Sequence, residues 1–67
     1  MKYVLVELQT NNDGTVGNIV TAYDDLPHAE AAYHSVLAAA AVSALPEHAA
    51  VLLTSDGETY ASKCYRH

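Results

Sequence analysis

Four histidines and one cysteine are the side chains in this sequence most suited to metal binding or proton transfer: His28, His34, His48, His67 and Cys64. Structural zinc sites use closely spaced Cys/His pairs. Only Cys64 and His67 lie that close together, at the predicted end of a strand, where two such side chains do not point at one ion. The turn Asn11–Gly14 is similar to part of a calcium loop, but an EF-hand would then place Val20 where a bidentate Glu is required. The sequence therefore predicts no metal site, and nothing in it indicates a cofactor.

Catalytic machinery is also absent from the local patterns. There is no nucleophile elbow, and the three glycines fall in or near predicted turns instead of in a phosphate-binding loop. Glu30 and His34 share a helix face at i, i+4, which is typical of a solvated pair. An acid/base set of Glu30, Tyr33, His34 and His48 could form only across a subunit interface. We predict no catalytic residue and no enzymatic activity, and we keep a small enzyme with such an interfacial His site as an alternative.

Lys63 and Arg66 form the only cluster of basic residues, near Tyr60 and Tyr65. Alone, basic residues on a final strand protect a sheet edge from aggregation. In a symmetric oligomer the pair would repeat around an axis and could hold a phosphate group, with a tyrosine stacked on a base. A second alternative is therefore that the protein sequesters a small anionic, nucleotide-like ligand at subunit interfaces.

The composition limits the classes of partner. Eight acidic residues against three basic ones give a net charge of −5, which argues against binding a nucleic acid polymer. The N-terminal stretch MKYVLVELQ is not typical of a signal peptide, and the single cysteine fits a reducing compartment. We therefore expect a cytoplasmic protein. A chain of 67 residues is one small domain near the lower limit for a self-sufficient core, which favours an obligate homo-oligomer subunit, as a homodimer or a larger assembly.

The stretch Ala29–Leu45 predicts an Ala-rich helix, with Asp24 or Asp25 as its cap, Pro27 in its first turn and Pro46 after its end. Its apolar run is too short to cross a membrane. Helical periodicity gives it two apolar faces. The broad face would cover a sheet and contains Ala29, Tyr33, Val36, Leu37, Ala40 and Ala44. The narrow face is predicted to be the oligomer interface and contains Ala31, Ala38, Val42 and Leu45.

Four strands are predicted at residues 2–9, 16–23, 48–54 and 58–65. Turn clusters lie at Asn11–Gly14 and at 55–57, and Gly17 indicates a bulge. The apolar third strand suggests a central position, and the polar fourth an edge. The predicted fold is α+β, ββαββ, with a single Ala-rich helix packed on a four-stranded, mainly antiparallel sheet. Orders 2-1-3-4 and 1-2-4-3 keep it antiparallel, whereas 1-2-3-4 requires a parallel pair.

The sheet would be too large for one helix to cover. Four strands span about 15–19 Å, against about 10–12 Å for a helix. We expect an uncovered face that contains Tyr3 and Leu5, together with some of Ile19, Tyr23, Leu52 and Tyr60, and that acts as a contact surface.

The segments TNNDGTVGNIVTAYDD and AAYHSVLAAAAVSALPEHAAVLL resemble short uncharacterised proteins encoded in Firmicutes and their prophages. The resemblance implies an accessory or host-modulating phage factor that binds a host protein or sequesters a small signal; it implies no activity, cofactor or site residue. Together these observations predict a non-enzymatic, homo-oligomeric binding protein. Its ligand or partner surface is predicted to contain Tyr3, His34, Tyr60, Lys63, Tyr65 and Arg66.

Overall fold

Two β-hairpins flank one helix along the chain. The computed structural model describes residues 1–67, and its elements are β1 (Tyr3–Thr10), β2 (Val16–Tyr23), α1 (Leu26–Ala41), β3 (Glu47–Thr54) and β4 (Thr59–Arg66). The strands form one antiparallel sheet in the order β2-β1-β3-β4. This confirms the predicted ββαββ, α+β fold and the central position of β3. Of the two antiparallel orders, it selects the one in which the hairpins join through β1 and β3.

Each hairpin turn depends on one glycine with positive φ. Gly14 has φ 87° and Gly57 has φ 93°, a region that residues with a Cβ rarely adopt. The N–H of Gly14 donates to the carbonyl of Asn11 at 3.0 Å, and the N–H of Gly57 donates to that of Thr54 at 3.0 Å. Both predicted turns are confirmed.

The helix starts as predicted but ends early. Asp25 caps it by accepting a hydrogen bond from the backbone N–H of His28 at 2.9 Å, and Pro27 lies in the first turn. At the other end, Val42 leaves helical geometry with φ −111° and ψ 9°. The hydroxyl of Ser43 accepts from the N–H of Leu45 at 3.1 Å, a local bond that competes with the helical ladder. The prediction that the helix extends to Leu45 is therefore wrong.

The bulge lies in β4 and not in β2. Gly17 pairs in register with Gln9, so the bulge predicted at Gly17 is wrong. A bulge needs one extra residue, and β1 and β2 have eight residues each and pair from end to end. The register shift opposite Leu52 and Leu53 instead leaves Tyr60 unpaired. Its ring packs edge-on against that of Tyr3, with the ring centroids 6.5 Å apart.

The core lies between α1 and the sheet face that contains Leu5 and Leu52. These two residues are partners in the β1–β3 register. The predicted broad face of the helix is confirmed from Ala29 to Ala40, while Ala44 lies beyond the helix and is exposed. The buried cluster consists of Leu5, Ala29, Tyr33, Ala50 and Leu52.

The prediction that Tyr3, Leu5 and Leu52 occupy the uncovered face is wrong. Leu5 is 4% exposed and Leu52 0%, and Tyr3 packs against the same cluster. Ile19 and Tyr23 also lie on the helix-covered face, since they pair in register with Glu7 and Tyr3. The reason is that a period of two shows which residues share a face but not which face a helix covers.

Candidate functional site

The uncovered face of the sheet is apolar at its centre. Strand alternation places the even-numbered residues of β1 on the side of the sheet that faces away from the helix. The register pairs Val4 with Leu53, Val6 with Val51 and Leu8 with Ala49. We call these six residues the free sheet face. All six are only half-buried, because their side chains have neighbours along the sheet but no layer above them.

The edge strands border the free sheet face with both apolar and polar side chains. On β2 this border contains Asn18 between Val16 and Val20, each valine being 60% exposed. On β4 it contains Ser62 and Arg66, and Arg66 donates to the carboxylate of Glu47 at 3.2 Å. A polar rim around an apolar centre is the usual composition of a protein–protein interface, and here the β4 side supplies it while the β2 side extends the apolar surface.

The sequence of β1 explains why both of its faces are apolar. In YVLVELQT, the residues that point away from the helix are Val4, Val6, Leu8 and Thr10. An antiparallel sheet with one solvated face normally alternates apolar and polar residues. Here the alternation fails on β1 and on β3, the two central strands. The pattern is that of a sheet covered on both sides.

Under the helix, by contrast, the sheet contains a polar network that the sequence analysis missed. His48 is 5% exposed, and its Nε2 lies 2.6 Å from Oε2 of Glu7. Gln9 donates from Nε2 to the same oxygen at 2.8 Å. Burial raises the pKa of Glu7, but the hydrogen bonds from His48 and Gln9 outweigh this effect and hold the pKa below its ordinary value. The only sequence signal for the network is that Glu7 is the one charged residue in an apolar strand.

The predicted oligomer interface on the helix is not one continuous stripe. Ala31 and Ala38 are exposed on α1, but Val42 is the helix C-cap and Leu45 lies beyond the helix end. Val42 is 86% exposed, whereas Leu45 is partly buried. The early end of the helix separates the two larger residues from the alanines.

The predicted ligand surface is spread over the molecule. Tyr3 and Tyr60 contact each other at one end of the sheet. Lys63 lies over the ring of Tyr65, with Nζ 5.3 Å from the ring centroid. A shallow depression of about 420 Å³ over β3 and β4 is lined in part by Lys63 and Arg66, but their charged ends are engaged separately, by Tyr65 and by Glu47. A phosphate site at this pair stays a prediction that depends on a second copy.

The residues of the alternative acid/base set do not converge within one chain. His34 is exposed on the helix and contacts Tyr33 edge-on, whereas His48 is bound to Glu7 beneath the helix. His67, at the chain end, has Nε2 3.0 Å from the carbonyl oxygen of Ala40, so it donates to the last turn of the helix. No group of three or more His, Cys, Asp or Glu side chains is placed so that it could hold a metal ion.

Comparison with known proteins identifies no relative of this chain. The chain matches no protein-family model, and neither a curated protein nor a solved structure is similar to it. Its one helix lacks the length and apolar content needed to cross a lipid bilayer.

Proposed function

We propose that this chain is a non-enzymatic binding protein that assembles as a homodimer, with the free sheet faces of two copies packed against each other. The observation that carries the proposal is the apolar centre formed by Val4, Val6, Leu8, Ala49, Val51 and Leu53 on the two central strands. Water contact with such a face is unfavourable by about 25 cal/mol per Å² of apolar surface. Face-to-face packing of two sheets about 10 Å apart removes it.

The chain is as compact as a monomer of its size, so loose folding does not explain the free sheet face. Its accessible surface is 4100 Å². A folded protein of this mass is expected to expose about 4,100 Å². The amount of surface is therefore ordinary, and what is unusual is that so much of one sheet face is apolar.

The dimensions of the face suit a dimer. Strands of eight residues rise about 3.3 Å per residue, and four strands lie about 4.8 Å apart, so the uncovered side of the whole sheet, which is the free sheet face with its border, measures roughly 26 by 19 Å. Two such faces would bury about 1,000 Å² in total before corrugation is counted, which reaches the lower bound for a specific interface.

The positions of the acidic residues allow two free sheet faces to pack together without charge repulsion at their centres. Of the eight acidic residues, none lies in the free sheet face. Glu47 is at its rim and is paired with Arg66, and Glu7 is on the helix side of the sheet. Glu30 is on the helix, and Asp13, Asp24, Asp25, Asp56 and Glu58 lie between the elements. Two copies can therefore pack together without burying an unpaired carboxylate.

A lysine at the centre of the free sheet face tests the proposal. Val6→Lys is expected to convert a dimer of twice the 7.1 kDa chain mass into a folded monomer, because burying an unpaired ammonium in the interface is too costly. Val42→Lys is the matched control, since Val42 is 86% exposed and lies outside the face. Sedimentation equilibrium measures the masses, and circular dichroism verifies the fold.

Two results would contradict this assembly. If Val6→Lys kept the mass of the wild type, the free sheet face would not be the contact. If Val42→Lys dissociated the dimer instead, the interface would lie at the C-terminal end of the helix, close to the interface predicted from the sequence.

A further inference from the structure

A groove lies on the helix side of the sheet, on the opposite side from the free sheet face. The helix packs mainly over the central strands β3 and β1 and contacts the two edge strands less. A groove of about 250 Å³ lies between α1 and the β1–β2 half of the sheet. Leu5, Ile19 and Val36 are among its apolar lining residues, and Thr21 and Ser35 contribute hydroxyl groups.

Glu7 is the only charged residue that lines this groove. Its Oε2 accepts the hydrogen bonds from His48 and Gln9, at 2.6 Å and 2.8 Å. No side chain or backbone group of the protein donates to Oε1. The carboxylate is therefore fixed through one oxygen, and the other is available to a ligand.

His48 contacts Glu7 through one nitrogen only. Its Nε2 lies 2.6 Å from Oε2 of Glu7, while its Nδ1 is buried and has no hydrogen-bond partner. Both partners of the carboxylate, His48 and Gln9, therefore lie at Oε2, and Oε1 keeps its lone pairs for a donor from outside the chain.

We propose that this groove binds a small organic amine. The ammonium group donates to Oε1 of Glu7, and the carbon body lies against Leu5, Ile19 and Val36. A single fixed carboxylate beside apolar walls suits a cation that has an apolar part, and it disfavours an anion. The groove has one carboxylate only, so it lacks the several oxygen ligands that a calcium or magnesium ion requires. Its volume is below the range of about 300–1,000 Å³ usual for drug-sized ligands, so the amine is small.

The test compares phenethylamine with 2-phenylethanol, which has the same carbon skeleton but no charge. Each is titrated into the ¹⁵N-labelled protein, and amide shifts are followed by NMR. Both probes are expected to shift amides that line the groove, among them those of Ile19, Thr21 and Ser35. The amine is expected to bind about tenfold or more tightly than the alcohol, which is the range of a hydrogen bond to a charged group.

Three variants locate the interaction. Glu7→Gln keeps the shape and is expected to weaken amine binding about tenfold while leaving alcohol binding unchanged. Glu58→Gln is the control, since Glu58 is exposed in the second hairpin turn. Ile19→Ala removes one wall of the groove, with little risk to the fold because Ile19 is an edge-strand residue that is 55% exposed. It is expected to lower the binding affinity for both probes by the same factor.

Three results would overturn the proposal: equal affinity of the wild type for amine and alcohol, an unchanged amine affinity in folded Glu7→Gln, or shifts that map to the free sheet face instead of the groove. Should Glu7→Gln fail to fold, the wild-type comparison and Ile19→Ala still decide. The groove and the free sheet face lie on opposite sides of the sheet, so the result does not depend on the proposed dimer.

Discussion

In a monomer, the sheet face that the helix leaves uncovered is expected to be the more polar of the two. In this protein the uncovered face is the more apolar one at its centre. The helix-covered face contains Leu5 and Leu52, but it also contains the hydrogen-bonded network of Glu7, Gln9 and His48. The free sheet face, which has no layer above it, has no polar side chain at its centre. Exposing the more apolar face is unfavourable unless something covers it. This difference supports the proposal that the free sheet face is a contact surface, while the covered face combines core packing with a polar network.

Two adjacent leucines on β3 lie on opposite faces of the sheet, so their substitutions distinguish the two faces most clearly. Leu52 points into the core and is 0% exposed, whereas Leu53 belongs to the free sheet face. Leu52→Ala is expected to lower the free energy of unfolding by about 2–5 kcal/mol at every protein concentration, because it leaves a cavity. Leu53→Ala is expected to act through the dimer, so its cost falls below about 1 kcal/mol when the protein is diluted below its dissociation constant.

Urea unfolding at a high and a low protein concentration separates the two effects. The dimer account fails if Leu53→Ala costs the same at both concentrations, because Leu53 would then contribute to the core of the single chain. A small effect of Leu52→Ala would show instead that the helix does not pack over Leu52.

A smaller effect tests the polar part of the covered face. The pKa of Glu7 in the folded protein is lowered from 4.5. The stabilisation from this shift is fully present above the unfolded pKa and is lost as the pH falls through the folded pKa. Glu7→Gln is therefore expected to be less stable than the wild type at neutral pH, and the difference should shrink as the pH drops below 4.5.

Thermal unfolding across this pH range measures the difference, and Glu58→Gln is the matched control because Glu58 lies outside the network. The control is expected to follow the wild type at each pH. If the difference between Glu7→Gln and the wild type did not change with pH, the hydrogen bonds of the network would not stabilise the ionised carboxylate.

Local signals predicted most of the fold. Strand alternation, the two glycine turns, and the Asp25 cap with Pro27 each act within a few residues, so the ββαββ arrangement could be derived from the sequence. The position of the helix end could not, because the hydrogen bond between Ser43 and Leu45 competes with an otherwise good helical sequence.

The sequence did not predict which face of the sheet the helix covers, and the polar network of Glu7, Gln9 and His48 was therefore not predicted either. Val4, Val6 and Leu8 form the more uniformly apolar side of β1, so the pattern favours burying them. Glu7 and Gln9 look like solvent-facing residues until His48, which is 41 residues from Glu7 in sequence, provides a buried partner. Long-range polar pairing of this kind leaves no periodic signal. The same reversal turned the surface predicted around Leu5 into the core.

Intermolecular NOEs from a mixed-label sample report directly on whether the free sheet faces of two copies pack together. Protein with ¹³C-labelled Val and Leu methyl groups is unfolded and refolded with an equal amount of unlabelled protein, so that half of the dimers are mixed. Isotope-filtered spectra are expected to show contacts between copies at Val6, Val51 and Leu53, and none at Val42, which is 86% exposed outside the face. Contacts confined to Val42, or no intermolecular contact at any of these methyls, would contradict the assignment of the free sheet face as the surface through which two copies assemble.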